Sequence, residues 1–363
     1  MKTRRLLLAL LLFCLLLAGG VACWLRGQVD AAATRPGTAT ATQVFVIPQG
    51  ASLRTALALL QQKQLVDNPR YLEWYLRFIR PDALEHRGIQ AGRYRVEPGQ
   101  TPLAILHQLV EGKVEMAQLT IVEGWTVAQM RALLASLPDV RHTLAGHSDA
   151  QLMAELGAPG VAAEGRFAPN TYEYAVGATS DLQILRMAFD AQQKILQQAW
   201  DARQPGLPLA TPDEALILAS IIEKETGLAA ERARVAGVYI NRLRKGMRLQ
   251  SDPTVIYGIR DHYDGNIRKR DLTTDTPYNT YTRAGLPPTP VALPGREAII
   301  AALNPEKTDA LFFVAIGDGS GGHYFSATYA EHSRALQRYL QRLHTGPVLD
   351  QQAAAPDAQG GKP

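Results

Sequence analysis

Cysteine is almost missing from this chain, and the two that occur, Cys14 and Cys23, both lie in one uncharged apolar stretch near the N-terminus. Everything after that stretch lacks a thiol, so it can close no disulfide and must be held by its core alone. Metal-binding patterns are missing as well. The eight histidines show no pair at ligand spacing, and neither a nucleophile elbow nor a phosphate-cradling glycine loop occurs, so no metal site and no cofactor is expected. An excess of one charge sign is also lacking. The formal charge is +4, but Lys2, Arg4, Arg5 and Arg26 flank the first apolar segment and the remainder is balanced, which leaves no footprint for nucleic acid.

What is present is a chain of 363 residues, 46% hydrophobic and 20% charged, long enough for two or three globular domains. From Leu6 to Leu25 no charge occurs, and roughly 20 residues match a helix crossing a bilayer core of about 30 Å. Lys2, Arg4 and Arg5 precede this run and only Arg26 follows closely. The asymmetry predicts a cytoplasmic N-terminus at 1–5, a transmembrane helix at 6–25 and everything after about residue 27 in the periplasm. A cleaved signal peptide, or a lipidation box at Gly20-Val21-Ala22-Cys23, are the alternatives. Residues 26–42, rich in Ala and Thr, read as a tether, and 345–363 as a disordered tail.

The stretch 43–134 carries a degenerate internal repeat, at Val44 to Leu60, Tyr94 to Leu109 and Leu119 to Leu134. In each copy a short apolar or alternating run meets Gly50-x-Ser52, Gly99-x-Thr101 or Gly124-x-Thr126, and an amphipathic pattern follows. The spacing predicts a strand, a glycine turn, and a helix capped by the Ser or Thr. Tyr71 to Ile79 predicts a further amphipathic helix. Gly92 to Thr101, followed by Ile105, Leu106 and Leu109, resembles the LysM glycan-binding module; a plain strand-turn-helix scaffold accounts for the same pattern.

Farther on, Thr211-Pro212-Asp213-Glu214 predicts a helix start, with Thr as N-cap, Pro at the first helical position and Glu completing a capping box; Gly227 is the matching stop. Leu216, Ile217, Leu218, Ala219, Ile221 and Ile222 point nearly all round the axis, which places this helix in a core. Glu223 follows Leu216 and Ala219 on an apolar face. Lost hydration raises a carboxyl pKa there, and a proton retained near neutral pH is what a general acid for a glycosidic oxygen needs. The small Ala219 and Ser220 leave room for a substrate. The plainer alternative is a buried ion pair of Glu223 or Glu225 with Arg232, Arg234 or Arg242.

The stretch Leu218 to Tyr257 resembles the core of the YceG-like family, the endolytic murein transglycosylases. The likeness runs on through Tyr278-Asn279-Thr280-Tyr281, Gly285-Leu286-Pro287-Pro288, Asn304-Pro305 and Gly321-Gly322-His323-Tyr324-Phe325, and back to Glu164 through Tyr172. Arg166, Asn170 and Thr289 depart from the family's usual aromatic, Asp and Gly. The resemblance implies an α+β fold: a transmembrane helix, a small LysM-like domain at 43–134 and a mixed α/β catalytic domain at 135–344. It implies Glu223 as the catalytic acid, with Glu225 as runner-up, and a reaction that needs no cofactor. That reaction is endolytic, non-hydrolytic cleavage between N-acetylmuramic acid and N-acetylglucosamine, leaving 1,6-anhydro ends and limiting the length of nascent strands. Gln250, Ser251, Asp252 and Tyr257, after a helix from Glu231 to Arg244, are placed around the acid to orient sugar hydroxyls, as are Asn279, Tyr281 and His323. Turn-forming and loop-capping roles stay open at these positions. The implied partners are peptidoglycan glycan strands, the inner membrane, peptidoglycan synthases and divisome proteins.

Two rivals fit the same residues. One is a hydrolase that uses Glu223 with Asp252 as a second carboxyl. The other is a catalytically silent, membrane-tethered glycan-binding scaffold.

Overall fold

The computed structural model describes residues 2–37, 39–84 and 88–345. In chain order the elements are α1 (Lys2–Thr34), β1 (Gln43–Ile47), α2 (Leu53–Gln62), α3 (Pro69–Trp74) running into a π-helical turn (Tyr75–Ile79), β2 (Gly92–Val96), α4 (Pro102–Glu111), β3 (Met116–Ile121), α5 (Val127–Ser136) and α6 (Asp149–Glu155). There follow β4 (Asn170–Ala175), α7 (Asp181–Asp201), α8 (Pro212–Glu225), α9 (Ala229–Arg244), α10 (Asp252–Gly258), α11 (Lys269–Thr273), α12 (Arg296–Leu303), β5 (Phe312–Ala315), β6 (His323–Ser326) and α13 (Tyr329–Thr345). Helix and strand are mixed, and the strands pair two by two: β1 with β2, β3 with β4, β5 with β6. Two compact units result. One comprises Met1–Leu119, Leu134–Ala145 and Thr171–Ile184; the other comprises Thr120–Leu133, Gly146–Asn170 and Leu185–Pro363. From residue 346 on, the stretch read as a disordered tail lies outside the described residues.

In the N-terminal unit β1 and β2 are antiparallel, with Phe45 opposite Tyr94. Phe45, Ile47, Tyr94 and Val96 point inward while Val44 and Val46 stay exposed, the two-residue alternation of a half-buried strand. The three repeat copies form strand, turn and helix. Gly50, Gly99 and Gly124 take φ of 76°, 81° and 75°, a left-handed turn that favours glycine. Ser52 Oγ then accepts the Thr55 N–H at 3.1 Å, Thr101 Oγ1 that of Ala104 at 3.2 Å and Thr126 Oγ1 that of Gln129 at 3.3 Å.

Over Leu10–Thr34, α1 is long and apolar enough to cross a membrane. It does not stop where the apolar run stops. Residues 26–34, read as the start of a tether, continue the helix, and Val29 and Ala33 are buried in the N-terminal core. Alanine is the best helix former, and a residue pair four apart makes a stripe that a neighbour can cover. Tyr71 to Ile79 is helical as expected, but its second half widens into the π turn, with Leu72, Tyr75 and Leu76 facing inward.

In the C-terminal unit α8, α9 and α12 enclose the core. Leu216, Leu218, Ile221 and Ile222 are 0% exposed. Each such side chain stabilises by about 2 kcal/mol, which offsets the cost of holding carboxyl groups at the end of the same helix. The start of α8 is capped as its sequence predicts, with the Glu214 N–H on Thr211 Oγ1 at 3.2 Å; Glu214 reaches one residue further back, accepting the Ala210 N–H at 2.5 Å. The stop differs. Thr226 turns extended, φ −142° and ψ 128°, and ends the helix at Glu225 without a left-handed Gly227. On α9, a Cβ at Gly237 would collide with the carbonyl oxygen of Glu306, so glycine lets the loop after α12 lie directly against the helix backbone.

Candidate active site

Glu223 and Glu225 stand two residues apart on α8. At about 100° per residue they point to opposite sides of the helix. Glu223 Oε2 accepts the backbone N–H of Gly295, the N-cap residue of α12, at 2.9 Å. The Glu123 carboxylate lies so close to Gly295 that a Cβ there would overlap it. Two loops form this wall: the Gly124 N–H donates to Leu293 O at 2.9 Å, the Leu293 N–H to Trp125 O at 2.6 Å, and Lys224 Nζ to Gly124 O at 3.2 Å. Burial raises the Glu223 pKa and the charge of Glu123 adds to it, while the Gly295 N–H, Arg232 and Lys224 oppose the rise.

Glu225 meets hydroxyls instead. Its Oε1 accepts the phenol of Tyr239 at 2.5 Å and the hydroxyl of Ser251 at 2.6 Å; both donors are buried. Ser251 is the N-cap residue of α10, yet its side chain makes no cap bond; its hydroxyl is turned to donate to Glu225. Burial raises the Glu225 pKa, Ser251 and Tyr239 work against that, Asp252 adds to it and the charge of His323 subtracts. Among the described residues neither glutamate is in a salt bridge. Arg234 pairs with Glu306 at 3.8 Å, and Arg242 gives its guanidinium to the carbonyl oxygens of Leu311 at 2.6 Å and Leu249 at 2.7 Å. The ion-pair alternative is not what these arginines do.

The model of the YceG-like family matches residues 45–338. The chain belongs to the YceG-like family. An endolytic murein transglycosylase of Bacillus subtilis (strain 168) is 30% identical over 311 residues, covering 81% of this chain and 84% of that protein. One from Streptococcus pneumoniae (strain D39) is 26% identical over 329 residues, 81% of this chain but 58% of the longer streptococcal protein. The crystal structure of a YceG-like protein from Listeria monocytogenes shares 29% identity at a TM-score of 0.51, over 82% of this chain and 99% of that one.

In this YceG-like chain the other expected site residues divide into groups. Asp252, exposed at the start of α10, accepts the Tyr281 hydroxyl on Oδ1 at 2.6 Å. His323 sits on β6 with Nδ1 2.8 Å from Glu231 Oε2 and its N–H on Glu231 Oε1 at 3.0 Å, its ring edge-on to Phe313. Ser251 thus meets Glu225 by contact, Asp252 and His323 act on it by charge, and Tyr281 is joined to Asp252. Gln250 is exposed and left-handed at φ 49°, with Oε1 3.5 Å from the Arg242 guanidinium. Tyr257 looks elsewhere: its hydroxyl donates to Glu164 Oε2 at 3.0 Å and its ring meets Tyr278 at 4.9 Å. Asn279 turns into the surrounding loops. It is fully buried, its amide N–H groups cap the carbonyls of Asp271, Leu272 and Thr274, and its oxygen accepts the Tyr281 N–H.

Sequence reasoning passed over Tyr239, Glu231 and the role of Glu164. Tyr239 lies in the apolar run of α9 and reads as core, although a buried phenol needs a partner for its proton. Glu164, also accepting the Val127 N–H at 3.0 Å, is pushed up to about 7 by burial. Of the departures from the family pattern, Arg166 pairs with Asp213 at 2.8 Å and Thr289 Oγ1 lies 2.8 Å from the Tyr278 hydroxyl. Among the described residues no three metal-ligating side chains converge.

Proposed function

We propose that the protein is an endolytic peptidoglycan lytic transglycosylase in which Glu225, rather than Glu223, is the acid. The names of its relatives support the reaction class. The observation that carries the residue is the hydroxyl pair on Glu225 Oε1: both donors meet one oxygen, and among the described residues none meets Oε2, which is left to carry a proton. Glu223, with a backbone N–H as partner and Glu123 beside it, fits the joining of two loops better than proton transfer.

Glu225 donates its proton to the glycosidic oxygen as the bond from C1 of N-acetylmuramic acid breaks, and N-acetylglucosamine leaves with a 4-hydroxyl. The carboxylate then takes the proton of the muramic acid 6-hydroxyl while that oxygen bonds to C1. A 1,6-anhydro ring forms, and Glu225 is protonated again. An internal nucleophile reacts at an effective concentration that bulk water cannot match, and one carboxyl serves both steps.

Hydrolysis with Asp252 as base is the second reading, favoured by the effect of its charge on Glu225. Digestion of sacculi in ¹⁸O-water decides between them. Anhydro ends free of ¹⁸O are expected, and reducing ends carrying ¹⁸O would hand the site to a hydrolase. Intact sacculi would leave only a glycan-binding scaffold.

The charge asymmetry around α1 supports a cytoplasmic N-terminus with the LysM-like region at 43–134 and the catalytic domain at 135–344 in the periplasm. Alkaline phosphatase fused after His344 should be active; an inactive fusion would reverse the topology.

A further inference from the structure

Trp74 and Phe78 are 46% and 70% exposed, although an indole and a phenyl ring gain much by leaving water. They stand about one turn apart, at the end of α3 and in the π-helical turn that follows. With Leu25, Arg26, Val29 and Ile79 they line an open groove of about 380 Å³. The opposite side of the same turns is spent on the core through Leu72, Tyr75 and Leu76, so these two rings are left over by the fold.

The position of the groove says what covers it. Leu25 is the last residue of the uncharged run and Arg26 its first charge, so the groove lies where α1 leaves hydrocarbon. Val29, only about 6 Å farther along the helix, is already buried in the N-terminal core. Because α1 is unbroken from the apolar run to Thr34, no slack separates bilayer from protein. The turns of α1 just before the groove are apolar and exposed, as Leu15, Leu16, Val21 and Trp24 show. Arg77 lies over the Phe78 ring at 5.3 Å, which brings a cation beside the apolar patch, as Arg26 does.

We infer that Trp74 and Phe78, flanked by Arg26 and Arg77, seat the N-terminal unit in the interfacial layer of the bilayer. The rings lie at the boundary of headgroup and acyl chain, where amphipathic aromatics concentrate, and the guanidinium groups meet lipid phosphates. This rests on α1 crossing the membrane.

The test uses the full chain in nanodiscs of phosphatidylcholine and phosphatidylglycerol, with and without lipid carrying a nitroxide near the headgroup end of its acyl chain. Emission lost in Trp74→Phe isolates Trp74; emission lost in Trp24→Phe reports the anchor itself. Trp74 should lose most of its intensity to the nitroxide and little to aqueous iodide, and Arg77→Glu should weaken the nitroxide effect in anionic discs more than in neutral ones. If Trp24 is quenched by nitroxide while Trp74 yields only to iodide, the anchor stands and the seat falls. A Trp74 shielded from both quenchers would mean a protein covers the patch, which also overturns the inference. If neither tryptophan senses the nitroxide, α1 does not cross and both ideas fail together.

Discussion

Glu223 and Glu225 leave the same turn of α8 and enter different chemical surroundings. On one side a carboxylate meets a backbone N–H at the start of α12 and a second carboxylate, Glu123. On the other, two buried hydroxyls meet a single oxygen, with Asp252 and His323 near enough to act on it. Burial raises both pKa values, so burial does not separate an acid from a structural group. What differs is the partner: a backbone N–H and a neighbouring carboxylate at Glu223, two buried hydroxyls at Glu225.

The sharpest way to break this contrast is to remove each proton carrier alone. Glu225→Gln keeps an acceptor for Tyr239 and Ser251 but cannot donate an acid proton, and turnover on sacculi should fall by about 10² to 10⁴-fold with an unchanged circular dichroism spectrum. Glu223→Gln should stay within about tenfold of the parent, a loss below what an acid supplies. A dead, folded Glu223→Gln beside an active Glu225→Gln would reverse the assignment.

Glu164 tests what burial does without proton transfer to a substrate. Its carboxyl is raised from 4.5 to about 7 by burial, so the folded state holds this proton more tightly than the unfolded chain. Stability from it is complete below about pH 4.5, declines as pH rises, and is lost by about pH 7, a change on the order of 3 kcal/mol. Thermal midpoints of the parent should therefore drop across that window, and those of Glu164→Gln should drop less. Parallel slopes for the two proteins would show that Glu164 titrates like an exposed carboxylate.

The smallest effect concerns the hydroxyls. Ser251→Ala or Tyr239→Phe removes a donor that favours the carboxylate, so the Glu225 pKa should climb further. Activity that needs the protonated acid is lost as pH rises through that pKa, and the alkaline limb of kcat/KM should move up by about one unit. An unmoved limb would mean that neither hydroxyl senses the catalytic proton.

These residues also show what was legible in the sequence. Capping at Thr211 and at the three repeat turns is a matter of residues three apart, and it was readable because donor and acceptor belong to one short segment. The apolar run of α8 likewise announced a core helix ending in two glutamates. The choice between them was not local. Ser251 could have capped its own helix, and only packing shows that its hydroxyl goes to Glu225, 26 residues away along the chain. Asn279 has the same amide whether it meets a sugar or three loop carbonyls. Ala33 passed for tether because a small side chain signals nothing until a neighbour covers it.

The passage of α1 into the N-terminal core also bears on encounter rates. A flexible leash would let that unit sweep a volume, with every doubling of reach diluting it further. With α1 crossing the membrane as proposed, a helix that is itself part of the core would confine the unit to a sheet of constant height, where concentration is counted per area and search is two-dimensional. Glycan made at the membrane would then be met far more often than glycan already layered into the wall, without any chemical mark to tell the two apart.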